Sequence, residues 1–339
     1  MGNIVRAFHS EVPGHNQNSL PQLEDIRSAA KRIQPYIHQT PLLRSSTLAS
    51  MFGAAEFHAK CENFQKVGAF KARGACNAVF SLNDEEIQHG VLAHSSGNHA
   101  QGVAYAARLR KVPAYIVMPK TSSKVKIAAT RNYGATITFC EPTLESRTET
   151  TANIQKTTGA ILIHPFNDSY VIAGQGTIGL ELLKERISFD LVVMPLGGGG
   201  LISGISTVIK ALSPSTRVIG VEPTGAADAS LSFRNNKIVP VDSPHSIADG
   251  LLTTIGEKTH CIINRFVDDI VTVNDKEIIE AMKLVWQHMK IVIEPSAAVT
   301  VAAFLCGAIS ARGKKIAVVF SGGNADLDKL PWLSKSNVS

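Results

Sequence analysis

The chain contains 339 residues, of which 44% are hydrophobic and 18% are charged, proportions that are ordinary for a globular protein. Its formal net charge of +6 is mild and comes without a block of lysines and arginines, so nucleic-acid binding is not indicated. The five cysteines lie far apart with no Cys-x-x-Cys pair, which predicts reduced thiols and argues against a zinc site.

The amino-terminal segment shows no targeting signal. It lacks the apolar stretch of a secretory signal, and Arg6 stands where a myristoylation signal needs serine or threonine. No window offers the run of about 18 apolar residues that a membrane span needs. We therefore expect a cytoplasmic protein with no membrane partner, and a polar, mobile arm over residues 1–20.

The elements that follow, taken in chain order, predict an α/β protein. A helix fits Gln22 to about Ile37, because its apolar residues share one face. From Val91 onward, apolar runs typical of strands alternate with helical segments, two of which end at Gly134 and Gly159. This alternation predicts parallel sheets with both faces covered by helices. The strand-like runs are Val91–His94, Ala114–Met118, Thr136–Cys140, Ala160–His164, Leu191–Met194 and Val218–Val221.

The last third of the chain predicts two helices, Asp275–Met289 and Ser296–Ala311, and a strand in "KKIAVVFSGG". Six or more βα units exceed one compact sheet, so we predict two open parallel-sheet domains. Residues 92–166 form a small domain inserted in a larger one, which is built from residues 21–91 and 167–339. A (β/α)8 barrel is the competing architecture, and a long irregular stretch after the sixth run argues against it.

The segment "PLGGGGLISG", residues 195–204, follows a predicted strand and opens a predicted helix. Four consecutive glycines let backbone N–H groups approach an anion, and the helix dipole favours negative charge there. The segment therefore predicts a phosphate-binding loop. It fits neither the G-x-G-x-x-G dinucleotide fingerprint nor a Walker loop. An NAD-binding oxidoreductase or a nucleotide-binding module is a remote alternative, supported only by Glu222 at the spacing of a ribose ligand.

The segment "CENFQKVGAFKARGA" places Lys71 among alanines, directly after Phe70. Apolar surroundings disfavour the charged ammonium, so we expect a lowered pKa and an amine available for a Schiff base. A helix lysine that extends its ammonium to solvent is the alternative interpretation. Lys66 is the local competitor, although Gln65 and Gly68 predict a more open setting for it.

Two further turns carry hydroxyl and amide side chains after a predicted strand, "HSSGNHAQG" and "FSGGNADL". Serine and asparagine before a helix are ordinary N-cap residues, which is one interpretation of the first turn. The same helix N-terminus is also suited to a substrate carboxylate. Because turns that follow parallel strands meet at one edge of a sheet, we expect these segments to line a ligand site.

Together, these segments resemble the fold-type II pyridoxal-phosphate enzymes of the serine racemase and serine/threonine dehydratase family. The resemblance covers essentially the whole chain after about residue 20, and its segments occur in the order typical of the family. They are "ENFQKVGAFKARGA", "HSSGNHAQG", "HPFND", "AGQGTIGLEL", "PLGGGGLISG", "VEPTGAADA", "IADGL", "EPSAA" and "SGGNADL".

The resemblance implies a site for pyridoxal 5'-phosphate in the cleft between the two domains. Lys71 matches the lysine that carries the cofactor, and Phe70 lies beside the cofactor ring. Asn98 matches the residue that hydrogen-bonds the phenolic oxygen, and Ser321 matches the partner of the pyridine nitrogen. The phosphate loop matches Gly197, Gly198, Gly199, Gly200 and the amide of Leu201.

For the substrate, the resemblance implies a carboxylate loop and two acid/base groups. Lys71 is the implied base on one face of the cofactor ring, and Ser96 the implied acid/base on the other. Serine at position 96 is the racemase pattern, whereas many dehydratases carry alanine there. Phe166 departs from vertebrate racemases, which have a polar residue at that position. The residues that match the carboxylate loop are Ser95, Ser96, Asn98 and His99, and Arg147 resembles an arginine of the mobile small domain.

The implied activity is a racemase that interconverts L- and D-serine and also eliminates water from serine to give pyruvate and ammonia. An L-serine/L-threonine ammonia-lyase and a 3-hydroxyaspartate dehydratase are the alternatives within the family. A homodimer, a divalent cation (Mg²⁺, Ca²⁺ or Mn²⁺) and ATP as an effector are further traits that the resemblance implies. The implied cation ligands are Glu222, the carbonyl of Ala226 and Asp228, and Lys66, Gln101 and Tyr133 fit the nucleotide.

Overall fold

The computed structural model describes residues 19–333, so nearly all of the predicted arm over residues 1–20 lies outside the described residues. Within them the chain forms ten strands in two open sheets, with helices between the strands. The six-stranded sheet has the order β1-β2-β10-β7-β8-β9, and the four-stranded sheet has the order β5-β4-β3-β6. All pairings are parallel except that of β1 with β2. The α/β fold with two open parallel sheets is therefore confirmed, and the barrel is excluded.

The strands follow the predicted pattern closely in the middle of the chain. Predicted runs at residues 91–94 and 136–140 coincide with strands, and three others differ by a residue or two at their ends. The strands are β1 (Leu42–Arg44), β2 (Glu56–Cys61), β3 (Val91–His94), β4 (Ala114–Pro119), β5 (Thr136–Cys140), β6 (Ile161–Leu162), β7 (Leu191–Pro195), β8 (Arg217–Pro223), β9 (Asp269–Val273) and β10 (Lys315–Phe320).

Thirteen α-helices lie between and around these strands in the described part of the chain. They are α1 (Leu23–Ile33), α2 (Ser46–Phe52), α3 (Lys71–Ser81), α4 (Asp84–Ile87), α5 (Asn98–Arg110), α6 (Lys124–Asn132), α7 (Leu144–Thr158), α8 (Ser169–Lys184), α9 (Gly200–Leu212), α10 (Asp228–Asn235), α11 (Glu257–Phe266), α12 (Asp275–Met289) and α13 (Pro295–Leu305).

Three predicted elements are shorter than the sequence pattern indicated. The first helix ends at Ile33 instead of Ile37, and α13 ends at Leu305 instead of Ala311. The strand predicted over Ala160–His164 has only two residues, because β6 is an edge strand that pairs with β3 alone. Gly159 is the C-cap of α7 in the left-handed conformation as predicted, whereas the C-cap of α6 is Tyr133, and Gly134 follows it with a positive φ of 89°.

The sequence pattern missed β1, β2 and β9. In β2 the polar side chains of His58 and Lys60 are buried, which hides the apolar pattern of a central strand. The ammonium of Lys60 donates to Glu181 at 2.5 Å and to the carbonyl of Thr40 at 2.6 Å, so its charge is compensated inside the protein. Burial of a paired charge therefore replaces burial of an apolar side chain in this strand.

The four-stranded sheet is built from residues 91–162, and the division of the chain into a small and a large domain stays a prediction. Each sheet has its own apolar core, one around α3, α5 and β3, and two others on the faces of the six-stranded sheet. All five cysteines are unpaired, and three of them are buried. Among residues 19–333, no helix combines the length and apolarity that crossing a bilayer requires.

Candidate active site

Lys71 is the first residue of α3, and Phe70 forms the N-cap of this helix. The ammonium nitrogen donates a hydrogen bond to the carbonyl of Pro165 at 2.7 Å and lies 5.1 Å from the centre of the Phe70 ring. Burial lowers the pKa of Lys71 to about 8, because the charged amine loses hydration and no carboxylate among residues 19–333 pairs with it. The lowered pKa predicted from the alanine-rich segment is confirmed.

The four glycines at residues 197–200 connect β7 to α9 and are buried. A methyl group on Gly197 would lie 2.9 Å from the Cα of Leu251, and one on Gly198 would lie 2.3 Å from the ring of Phe166. Gly199 is the N-cap of α9 and has a φ of 87°, so it offers no side chain to the first N–H groups of the helix. The loop therefore exposes backbone donors where side chains would not fit, as an anion site requires.

The segment "HPFND" joins the lysine to the glycine loop. Pro165 accepts the hydrogen bond from Lys71, and the next residue, Phe166, contacts Gly198 and Gly200. The Phe166 ring also meets the ring of His164 edge to face, with centroids 4.7 Å apart. Two residues thus separate the reactive amine from the loop, although the amine and the loop are more than 120 positions apart in the sequence.

The serine-rich turn "HSSGNH" follows β3 and leads into α5, which begins at Asn98 as predicted. The N-cap is Gly97 and makes no side-chain hydrogen bond, so the interpretation of Ser96 or Asn98 as an ordinary cap is wrong. The hydroxyl of Ser95 accepts a hydrogen bond from the N–H of Gly97 at 3.2 Å. Ser96 is partly exposed, and its hydroxyl makes no hydrogen bond within residues 19–333.

Asn98 is fixed by two residues that the sequence reasoning did not single out. Its amide nitrogen donates to Glu294 at 2.7 Å, and its amide oxygen accepts a hydrogen bond from Asn324 at 2.9 Å. Burial raises the pKa of the Glu294 carboxyl to about 7. Both residues lie in segments noted for the family resemblance, "EPSAA" and "SGGNADL", which was the available signal for them.

Ser321 follows β10 and is buried, and its carbonyl accepts a hydrogen bond from the N–H of Phe70 at 3.0 Å. An isolated antiparallel bridge joins Ala69 to Gly322, so the turn after β10 and the start of α3 are held together. The structure therefore brings Ser321, Phe70 and Lys71 to one place. Ser321 could not be located there from periodicity, because the contact spans about 250 residues of chain.

His99 is buried, and its Nε2 atom lies 2.8 Å from the carbonyl of Ile163. Burial lowers the pKa of His99 well below the usual range, as do the nearby charge of Lys71 and the neighbouring imidazoles. Burial therefore keeps His99 neutral, and its Nε2–H donates to the carbonyl of Ile163 and fixes the turn. Its Nδ1 atom is buried and has no hydrogen-bond partner in the described part of the protein.

Arg147 lies on α7 and interacts electrostatically with His94, which places it near the end of β3. Burial, and to a smaller extent the guanidinium charge of Arg147, lowers the pKa of His94 to about 4. The Nε of Arg147 and the Nδ1 of His94 are buried without a hydrogen-bond partner among residues 19–333. Both side chains thus keep a buried polar atom without a hydrogen bond near this end of the sheet.

The predicted cation ligands lie together at the end of β8 and in the turn that follows it. Ala226 is buried in a short turn, and the carboxylates of Glu222 and Asp228 are buried on either side of it. Burial raises the pKa of Glu222 to about 8 and that of Asp228 to about 6. Glu222 accepts hydrogen bonds from the N–H groups of Ser230 and Ala229, and no cluster of three or more His, Cys, Asp or Glu side chains suited to a metal occurs among residues 19–333.

The three residues predicted for a nucleotide lie on different elements. Lys66 is in a short turn before α3, Gln101 is buried on α5, and Tyr133 is the C-cap of α6. The Tyr133 ring meets that of Tyr105, also on α5, with centroids 5.7 Å apart. Tyr133 is thereby placed against the helix that carries Gln101.

These features are typical of an enzyme that uses pyridoxal phosphate: a lysine whose pKa is lowered by burial, a glycine loop at a helix N-terminus, and a hydroxyl-rich turn. The model of the family "Pyridoxal-phosphate dependent enzyme" matches residues 33–322, and the chain belongs to this family. Within it, the chain belongs to the fold-type II group of serine racemases and dehydratases.

The similarity to individual relatives is extensive. The chain is 48% identical to a β-hydroxyaspartate dehydratase from Paracoccus denitrificans, over 92% of this chain and 99% of that protein. It is 46% identical to a serine racemase from Dictyostelium discoideum, over 91% of this chain and 96% of that protein. The structure of maize serine racemase matches with a TM-score of 0.89 and 42% identity, covering 91% of this chain and 95% of that chain.

Proposed function

We propose that this protein is a pyridoxal-phosphate-dependent serine racemase that also eliminates water from serine to give pyruvate and ammonia. The observation that carries the proposal is the hydrogen bond of Lys71 to Pro165, because the next residue, Phe166, packs on the glycine loop. The amine of Lys71 and the predicted phosphate site thus contact two adjacent residues, as one cofactor bound to both requires. Ser96 favours the racemase among the activities of the family.

In this proposal the phosphate binds the N–H groups of residues 197–201, and Asn98 and Ser321 hydrogen-bond opposite edges of the ring. The amide orientation supports the role of Asn98, because Glu294 takes one N–H and leaves the second available. Pyridoxal phosphate, when bound, withdraws electrons from the Cα atom of an amino acid. A serine hydroxyl at position 321 accepts or donates a hydrogen bond without holding a ring nitrogen protonated, which disfavours transamination.

The residues of the chain divide the proton transfers between two faces. Lys71 removes the Cα proton on one face, for which a pKa of about 8 is suitable at neutral pH. Ser96 supplies a proton to the opposite face, and its hydroxyl is not committed to another group within the described chain. Ser95 holds the turn through Gly97 and, with Asn98 and His99, receives the substrate carboxylate at the start of α5.

Incubation of the purified holoenzyme with L-serine tests the proposal directly. We expect D-serine by chiral chromatography, pyruvate in a coupled assay, and the visible absorption band of a lysine-bound pyridoxal phosphate. Pyruvate without D-serine would reject the racemase and leave the dehydratase. A preparation that carries no visible band and cannot be loaded with the cofactor would reject both.

A 3-hydroxyaspartate dehydratase is the second candidate, because two polar side chains near the serine-rich turn each have a buried atom without a hydrogen bond in the described residues. The Nε of Arg147 and the Nδ1 of His94 have no hydrogen-bond partner in the described part of the chain, and a second carboxylate is the natural ligand of such a pair. The comparison of kcat/KM for 3-hydroxyaspartate and L-serine separates the two candidates. A ratio well above one for 3-hydroxyaspartate, lost in Arg147→Met, identifies the dehydratase.

We propose four further traits of the family for this chain: a divalent cation, an ATP effector, a homodimer and a mobile small domain. A divalent cation binds Glu222, the carbonyl of Ala226 and Asp228, where two buried carboxylates repel one another. ATP binds near Lys66, Gln101 and Tyr133 as an effector, two chains form a homodimer, and residues 92–166 move as a small domain. The enzyme acts in the cytoplasm on a small amino acid, without a nucleic-acid partner.

A further inference from the structure

Two segments noted in the sequence, "IADGL" and "EPSAA", have no part in the proposed proton transfers, yet each contributes a carboxylate that interacts with the same lysine. Asp249 and Glu294 are these carboxylates, and Lys126 of α6 approaches both. Its ammonium donates to Asp249 at 2.5 Å, and the Lys126 side chain is only 8% exposed. We name Lys126, Asp249, Glu294 and Asn98 the cleft cluster.

Lys126 lies directly against the serine-rich turn. A methyl group on Gly97 would be 2.8 Å from the Cδ of Lys126 and 3.3 Å from its ammonium nitrogen. Gly97 separates Ser96 from Asn98, so the lysine stem covers the backbone between the two residues. The Lys126 stem therefore packs against this turn and limits how closely the turn can approach α6.

Asp249 lies in a turn that is fixed by α13, a helix that packs against the six-stranded sheet. It begins a short helical turn in which the N–H of Gly250 donates to the hydroxyl of Ser296 at 3.0 Å. The Cα of Leu251, in the same turn, lies 2.9 Å from the position of a methyl group on Gly197. The ion pair of Lys126 with Asp249 thus joins the serine-rich turn to the glycine loop.

Glu294 adds the second link of the cleft cluster. One of its carboxylate oxygens accepts the hydrogen bond from Asn98, and the other is buried without a hydrogen-bond partner in the described residues. The negative charge of Asp249 also repels that of Glu294, and the ammonium of Lys126 attracts both carboxylates. Removing this cation would leave two carboxylates facing each other next to Asn98, which favours separation of the two loops.

We propose that Lys126 is a positioning residue that couples substrate binding at the serine-rich turn to the placement of the glycine loop. The inference rests on the proposed function, in which residues 95–98 receive the substrate carboxylate. Lys126 packs against Gly97 and pairs with Asp249, so its position sets the spacing between the serine-rich turn and the segment next to the glycine loop. Lys126 acts through the turn and makes no contact with the reacting atoms.

The test compares the holoenzymes of Lys126→Met and wild type by steady-state kinetics, with pyruvate formation from L-serine as the measure. We expect KM to rise about tenfold with a smaller change in kcat, and the visible cofactor band to be unchanged. Lys126→Arg keeps a cation at this position and restores most of the KM. Lys124→Met is the matched control, because Lys124 is an exposed lysine on the same helix.

A double-mutant cycle with Asp249→Asn separates coupling from general damage. Asp249 is 49% exposed, so this variant keeps the test available if Lys126→Met fails to fold. We expect the KM of the double variant not to exceed the larger of the two single-variant values, since both substitutions remove the same link. A KM for Lys126→Met within twofold of the Lys124→Met control, or additive effects in the cycle, would overturn the inference. Absence of D-serine in the wild type would reject the racemase alone, because KM is measured from elimination.

Discussion

Burial without a counter-charge determines the reactivity of Lys71. An ordinary lysine is almost fully protonated at neutral pH, whereas a pKa of about 8 leaves a useful fraction of neutral amine. We expect the rate at which the apoprotein binds pyridoxal phosphate covalently to rise with pH and level off above about pH 8. Stopped-flow measurement of the visible band gives this profile, with Lys71→Ala as the control that forms no band. A rate that still rises through pH 10 would mean that the amine is solvated.

The two serines of "HSSGNH" differ in what they bind. Ser95 is engaged by Gly97, and Ser96 is free of hydrogen bonds in the described chain. We expect Ser96→Ala to lower D-serine formation by about 100-fold or more, since general acid/base groups contribute factors of that order, and to retain most of the elimination activity. Chiral chromatography and pyruvate detection on the same samples measure both rates. Equal losses would show that Ser96 only binds the carboxylate.

The element that carries Lys71 is fixed by a buried charge network. Two residues further along α3, the guanidinium of Arg73 lies 2.7 Å from Glu62 and 2.7 Å from Glu181, and Arg73 and Glu62 are fully buried. Replacing Arg73 with methionine leaves both carboxylates without their shared partner, so we expect the free energy of unfolding to fall by about 3–5 kcal/mol. Urea denaturation measures the change. The exposed pair of Arg217 with Asp269 provides the control, for which we expect a change within about 1 kcal/mol in Arg217→Met.

The elements differ in how well the sequence predicts them, and burial of polar groups explains the difference. Runs such as residues 91–94 and 136–140 were located to the residue, because apolar strands and amphipathic helices have distinct periods. The strand Glu56–Cys61 was missed because Lys60 and His58 are buried in it.

The lysine, the glycine loop and the serine-rich turn were identified as single segments, but Glu294 and Asn324 act through contacts that span 196 and 226 residues. No local pattern encodes such a distance.

At the scale of the whole molecule, the predicted cation site is connected to the cofactor site. Asp228 accepts a hydrogen bond from the N–H of Ile255 at 2.9 Å, and the chain just before Ile255 contains the turn whose Leu251 lies against Gly197. A cation that neutralises Glu222 and Asp228 removes the repulsion between two buried carboxylates and stabilises the segment that supports the glycine loop.

We therefore expect removal of divalent cations with a chelator to lower both the melting temperature of the holoenzyme and its affinity for pyridoxal phosphate. Added Mg²⁺, Ca²⁺ or Mn²⁺ should restore both, because a ligand that binds only the folded state raises its stability by mass action. Asp228→Asn should abolish the response to the cation, whereas Asp269→Asn, at an exposed carboxylate on β9, should keep it. Thermal denaturation and cofactor titration with and without cation measure the two effects. A chelator that changes neither quantity would show that the buried carboxylates are stabilised by protons and backbone N–H groups alone.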